Sequence, residues 1–229
     1  MRSRVQPDPP AFGRASRRGL ADESADRIRE AILAGEVPPG GPLREVELAA
    51  ALGVSRGSVR EGLWILEREG LVRSAWHRGT SVIDITPEDV REVYAVRAAL
   101  DRLAAITARE TATENHLAEL DALVAAMAAE IAGTPAGARL VALDIAFHDA
   151  VYTAAANRRL TEAWRAVRSQ VHLFQLRRVA LGFAHYRARV VDEHRELAAL
   201  LRSGDRDTVA RTAEEHVNSA HRGLLADLP

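Results

Sequence analysis

Asp144 and His148 stand four residues apart, so on a helix they leave one face a single turn from each other. That face is otherwise apolar, carrying Leu140, Val141, Phe147, Val151 and Ala155. His194 falls in the middle of a second stripe made by Val190, Val191, Leu197, Ala198 and Leu201. His216 lies among Val209, Ala213 and Ala220 of a third. An unpaired buried carboxylate or imidazole costs on the order of several kcal/mol, so each of the four needs a partner. One carboxylate and three imidazoles satisfy one another best around a divalent cation such as Zn, Ni or Mn. The alternative for each histidine is a hydrogen-bonded place in a core or an interface.

A cation repeats the pattern. Arg97 sits among Val90, Val93, Leu100 and Ala104, and a buried guanidinium requires a carboxylate. Asp101, one turn on, is one candidate; the other is a bound organic acid, with Arg97 as its clamp and His172 lining the same cavity. His116, His185 and His221 read as surface or packing residues.

A second kind of chemistry is written nearer the N-terminus. Val46, Leu48, Ala49 and Leu52 form a short apolar helix that stops at Gly53. Ser55 then caps a helix whose Val59, Leu63 and Leu66 face one way, with Arg56 and Arg60 side by side next to them. Two guanidinium forks near the start of such a helix suit base edges and phosphates in a major groove. Arg44, Gly57 and Ser58 belong to the same face. Two strands, 71–75 and 80–84, follow, with His77-Arg78-Gly79 as the hairpin tip. Helix–turn–helix and hairpin together make a winged helix, with Arg78 and Gly79 placed to reach a minor groove.

These faces need a mostly α scaffold. Apolar residues make up 47% of the 229-residue chain and aromatics 4%, which favours helices over sheets. The spacing predicts a helix over 22–34 and a turn at Pro38-Pro39-Gly40-Gly41. About six helices form an antiparallel bundle after Thr86: 87–111, 114–132, 137–156, 158–181, 184–202 and 205–225. Residues 1–20 read as a disordered tail, 21–84 as the winged domain, and 85–229 as a ligand-binding and dimerising bundle. All 31 basic residues are arginine, yet net charge is only −1, so DNA binding must come from local arrangement. Cysteine is absent, which excludes disulfides and thiolate metal sites. No apolar run approaches a membrane span, and the expected location is the cytoplasm.

The chain resembles bacterial transcription regulators of the GntR family, in the FadR-like subfamily with an FCD effector domain. The resemblance is carried by Pro39-Gly40, Leu43, Glu45, Leu48-Ala49, Gly53-Val54-Ser55-Arg56, Val59-Arg60-Glu61, Leu66-Glu67, Glu69-Gly70-Leu71-Val72 and Arg78-Gly79. It continues with Arg97, Asp101, Asp144, Phe147-His148, Asn157, His194 and His216. It implies a homodimer on a pseudo-palindromic double-stranded operator, a divalent metal held by Asp144, His148, His194 and His216, and a small carboxylate effector. Three departures stand out. Trp76 replaces a common Pro before the wing tip, Asp101 replaces a Glu, and Gly57 and Gly62 sit in the recognition helix. A helical Gly costs about 0.5–1 kcal/mol relative to Ala. The function so implied is a ligand-responsive regulator acting as a repressor and not an enzyme. The alternatives are a sensor of the metal itself and a metal-dependent enzyme built on the Asp/His₃ set.

Overall fold

The computed structural model describes residues 19–133 and 136–228. The tail expected over 1–20 lies outside the described residues except for Gly19 and Leu20, and so do Thr134 and Pro135 of an expected interhelical break. The first helix, α1 (Leu20–Leu33), buries Ala25, Ile28 and Ile32 against the recognition helix, α3 (Arg56–Arg68). The two approach closely because of Gly62. A Cβ there would lie 3.0 Å from both the Ala21 carbonyl oxygen and the Ala25 nitrogen. The glycine that weakens α3 on propensity is thus required by packing.

Between them, α2 (Glu45–Leu52) ends at Gly53, which takes the left-handed φ of 67° that glycine tolerates without strain. The wing strands are β2 (Val72–Ala75) and β3 (Gly79–Val82), antiparallel with Ala75 opposite Gly79. β2 begins one residue later than predicted, and β3 begins one residue earlier and ends two earlier, taking in Gly79 of the expected hairpin tip. A further strand, β1 (Pro42–Leu43), pairs with the other edge of β3 and gives the order β1-β3-β2. Two residues have no periodicity to detect. β1 is fastened from outside, by the Gly40 N–H to Val82 O at 3.1 Å and the Val82 N–H to Gly41 O at 3.0 Å.

Thr86 opens α4 (Pro87–Thr111) with a reciprocal capping box to Asp89 and proline in the first turn. Thr113 does the same for α5 (Glu114–Ala132) with His116 as the answering side chain. Then come α6 (Gly137–Ala154), α7 (Arg158–Ser203) capped by Asn157, and α8 (Arg206–Asp227) capped by Asp205. The run α7 is two helices meeting at a kink at Gly182, whose φ of −142° and ψ of 46° are not helical, so the break predicted between 158–181 and 184–202 falls where expected. Among the described residues no helix is long and apolar enough to cross a membrane.

Helices α4, α6, α7 and α8 enclose the bundle core, with α5 packed on α6 and α7. The winged domain touches the bundle through the end of α3. Glu69 accepts hydrogen bonds from Arg29 Nη2 at 2.6 Å, Arg29 Nε at 2.8 Å and the Ser169 hydroxyl of α7 at 2.9 Å. Next to it Gly70, at φ 66°, leaves room for the Gln170 side chain, which a Cβ would strike.

Candidate metal centre and nucleic-acid interface

Three imidazoles from α6, α7 and α8 turn their ring nitrogens toward one point, with ligand atoms of His148, His194 and His216 all within 4.8 Å of one another. His148 Nε2 lies 3.3 Å from His216 Nε2 and 3.6 Å from Asp144 Oδ1, and His194 Nε2 lies 3.9 Å from the same oxygen. The outer ring atoms face acceptors of the protein. His194 Nδ1 donates to the Val190 carbonyl at 2.6 Å, His148 Nδ1 faces Asp101 Oδ2 at 3.3 Å, and His216 Nδ1 faces Glu193 Oε2 at 3.4 Å. The Val190 carbonyl fixes the proton of His194 on Nδ1 and leaves its Nε2 lone pair pointing inward, while Asp101 and Glu193 set carboxylates on the Nδ1 sides of His148 and His216. The carboxylate is divided in the same way. Asp144 Oδ2 accepts from the Tyr186 hydroxyl at 2.9 Å and from Gln175 at 3.4 Å, while buried Oδ1 has no hydrogen-bond partner.

Burial pushes the His194 pKa down to about 3, so its ring is neutral near pH 7. His216 is lowered as well, again chiefly by burial. Burial alone would raise the Asp144 carboxyl, but the positive potential of His194, His148 and Arg97 outweighs it and holds the group well below the usual carboxylate range. Neutral imidazoles and an ionised carboxylate are the protonation states that bind a metal. The three imidazole nitrogens therefore fit a divalent cation, with Asp144 Oδ1 beside two of them at 3.6 and 3.9 Å.

Arg97 is fully buried, and of the two partners foreseen for it Asp101 is in place. Its Nε donates to Asp101 Oδ2 at 3.3 Å and its Nη2 to His148 Nε2 at 2.9 Å, while Nη1 has no partner. Asp101 is held in turn by the Tyr152 hydroxyl at 2.6 Å. A cavity of about 20 Å³ lies between Asp101, Phe147, His148 and His216. His216 also lines a surface pocket of about 340 Å³ between α7 and α8, with Arg189, Glu193, Arg211 and Glu215. His172 is half-buried with Nδ1 unpartnered and its pKa lowered to about 4, chiefly by burial, but it stands outside this hydrogen-bond network.

Tyr186, Gln175 and Glu193 had not been singled out in the sequence. Tyr186 was within reach, because with Val190 and His194 it continues one stripe at spacings of four. Gln175 and Glu193 carried no such signal.

On the winged domain, Ser55 caps α3 by accepting the Ser58 N–H at 3.1 Å, and the two hydroxyls lie 2.9 Å apart. Arg56 and Arg60 are exposed but not free. Glu45 of α2 takes Arg60 in a two-pronged pair, Nε to Oε1 at 2.9 Å and Nη2 to Oε2 at 2.8 Å, with Arg56 Nη2 at 3.7 Å from the same carboxylate. Hydrogen bonding to Arg60 lowers the Glu45 pKa. Arg44 pairs with Glu47 at 2.9 Å. A Cβ at Gly57 would meet only Ser55 Oγ at 3.6 Å, so packing does not require glycine there. Arg78 and Gly79 are exposed at the wing.

A winged helix–turn–helix joined to a helical bundle with a polar centre defines a two-domain DNA-binding transcription regulator. The chain belongs to the gntR family of bacterial regulatory proteins, matched over residues 20–82, and carries an FCD domain, matched over residues 92–219. It is 30% identical over 205 residues to the "Probable D-xylose utilization operon transcriptional repressor" of Paenarthrobacter nicotinovorans, covering 89% of this chain and 88% of that protein. It is 23% identical over 217 residues to the gluconate operon transcriptional repressor of Bacillus licheniformis, covering 93% and 88%. Its fold is similar to the crystal structure of a GntR regulator from Rhodococcus sp. RHA1, with TM-score 0.76 and 25% identity over 91% of this chain and 99% of that one. Family and relatives are those of DNA-binding regulators, which sets aside the metal-enzyme alternative.

Proposed function

We propose that the protein is a homodimeric repressor whose hold on a pseudo-palindromic operator is set by a small carboxylate bound at a divalent metal inside the bundle. One observation carries the reading. The Nε2 atoms of His148, His194 and His216 converge on one point beside Asp144 Oδ1, and both that oxygen and His194 Nε2 are buried without a hydrogen-bond partner. Asp144, His148, His194 and His216 would hold the cation, which supplies a Lewis-acidic centre for an effector carboxylate. Asp101, the Val190 carbonyl and Glu193 orient the rings. Arg97 is the clamp: Nη1 is unpartnered, and Nη2 turns to the effector when it leaves His148. The bland reading of each histidine as a satisfied core residue leaves Asp144 Oδ1 and His194 Nε2 buried and unpaired.

The cavity of about 20 Å³ beside His148 and His216, bounded also by Asp101, Phe147 and Leu197, is too small for an organic acid. An effector therefore enters from the pocket beside His216 and shifts α7 against α8. The close approach of the three imidazoles also favours a second reading, in which the cation itself is the signal. Either signal has a path to the DNA through the linker after Asp84 and through the Ser169–Glu69–Arg29 contact. The dimer is supported by α4, which exposes Val96 and Leu103 seven residues apart.

The test is operator binding across a panel of small carboxylic acids, with and without chelator. The proposal expects at least one acid to weaken binding only when metal is present. Weakening by chelator alone, with no acid active, favours the metal sensor. No response to either would remove the bundle as the input.

A further inference from the structure

The three wing-tip residues between the paired Ala75 and Gly79 are Trp76, His77 and Arg78. They form a tight loop closed by the Arg78 N–H to Ala75 O at 3.0 Å, with His77 at the left-handed φ of 63°. Trp76 is 88% exposed and ranks first among the exposed large hydrophobic residues. Its ring meets the edge of His77, with centroids 5.0 Å apart. A bulky indole held out in water on a tight turn contributes no burial to the fold.

The loop is braced toward the recognition helix. Glu67 of α3 accepts the Ser74 N–H at 2.7 Å and the Ser74 hydroxyl at 3.2 Å, and Ser74 faces Thr80 across the hairpin. The wing is thereby set relative to the Arg56–Arg60 face, and Trp76 projects two residues beyond that brace.

We propose that Trp76 is a DNA-contacting residue whose indole packs into the minor groove beside the bases met by α3 and reads groove shape and deformability. The inference rests on the reading that this wing meets the operator. Base edges in a minor groove discriminate poorly, whereas an apolar wedge that opens a step favours flexible pyrimidine–purine sequences. Arg78 at the same tip supplies the phosphate or groove charge that holds the loop down. The indole carries no charge and displaces no counterions, so its contribution is independent of salt.

The test uses the full chain and a duplex selected by it from a random-sequence pool, titrated at several salt concentrations. Trp76→Ala should weaken binding about tenfold with an unchanged slope of log affinity against log salt, and should reduce the DNA bend seen by circular-permutation mobility. Trp76→Phe should retain most of the affinity. Arg78→Ala should reduce the salt slope by about 1. Thermal unfolding of Trp76→Ala should match the parent. Trp76→Ala binding within twofold of the parent would overturn the proposal, as would a loss that follows the salt slope or a change confined to oligomeric state. Arg60→Ala separates the two levels: if it too leaves binding unchanged, the failed premise is the DNA face and not Trp76.

Discussion

The recognition face and the bundle centre each start from a pair of side chains four residues apart, Arg56 with Arg60 and Asp144 with His148, yet the two sites are held in opposite ways. On the winged domain, Arg56 and Arg60 lie on the surface and share Glu45, a solvent-screened interaction that phosphate or base can replace at little cost. In the bundle, Asp144, His148, His194 and His216 are out of water, where an unmatched group is expensive and the partners must come from the protein or from a bound ion. The output face is kept exchangeable. The proposed input is enclosed and answers only to what enters it.

The largest way to break that contrast is on the surface. Removing both forks with Arg56→Ala and Arg60→Ala should lower operator affinity at least about hundredfold, since a good bidentate base contact is worth about 1–3 kcal/mol. Thermal unfolding should be unchanged, because both side chains are exposed. Retained binding would remove α3 as the reading helix. Within the bundle, Asp101→Asn leaves His148 without its charged acceptor and should weaken metal affinity about 10–100-fold, read by competition with a chelating dye. Equal affinity would mean that Asp101 serves Arg97 alone.

Acid provides a third, smaller test. His194 titrates near 3 in the folded protein, below the ordinary value of about 6.5. The unfolded chain therefore takes up the proton first as pH falls, and the stability present above about 6.5 is lost progressively toward about 3. Asp144, held below the carboxylate range, adds a loss in the same direction at lower pH. Melting curves of the chelated protein should fall across that window, and those of a His194→Phe variant should fall less steeply. A slope identical in the two would mean that His194 is not a buried neutral ring. Smallest of all, Glu45→Gln should change stability by less than about 1 kcal/mol while shifting non-specific DNA binding upward, as Arg60 loses its competitor. No change in non-specific binding would show that Glu45 does not restrain the arginines.

The same contrast explains what could be read beforehand. The stripes carrying Asp144, His148, His194 and His216 follow from helical period, because a polar residue on an apolar face is visible without a structure. The break at Gly182 was legible too, since a glycine between two apolar helical stripes marks where a helix gives way. Long-range partners left no such trace. Glu45 reaches Arg60 across fifteen positions and Ser169 reaches Glu69 across a hundred, and no local pattern links them. The role of Gly62 was hidden for a related reason: its cost belongs to α3, and its benefit appears only where α1 crosses.

The enclosed cluster is the central claim, and metal content tests it most directly. Tag-free protein purified without chelator and analysed by elemental mass spectrometry should carry about one divalent transition-metal ion per chain. His194→Ala and Asp144→Ala should each lose most of it while circular dichroism remains helical. Metal-free wild-type protein that also fails to take up Zn, Ni or Mn on titration would contradict the account, as would full retention in both variants.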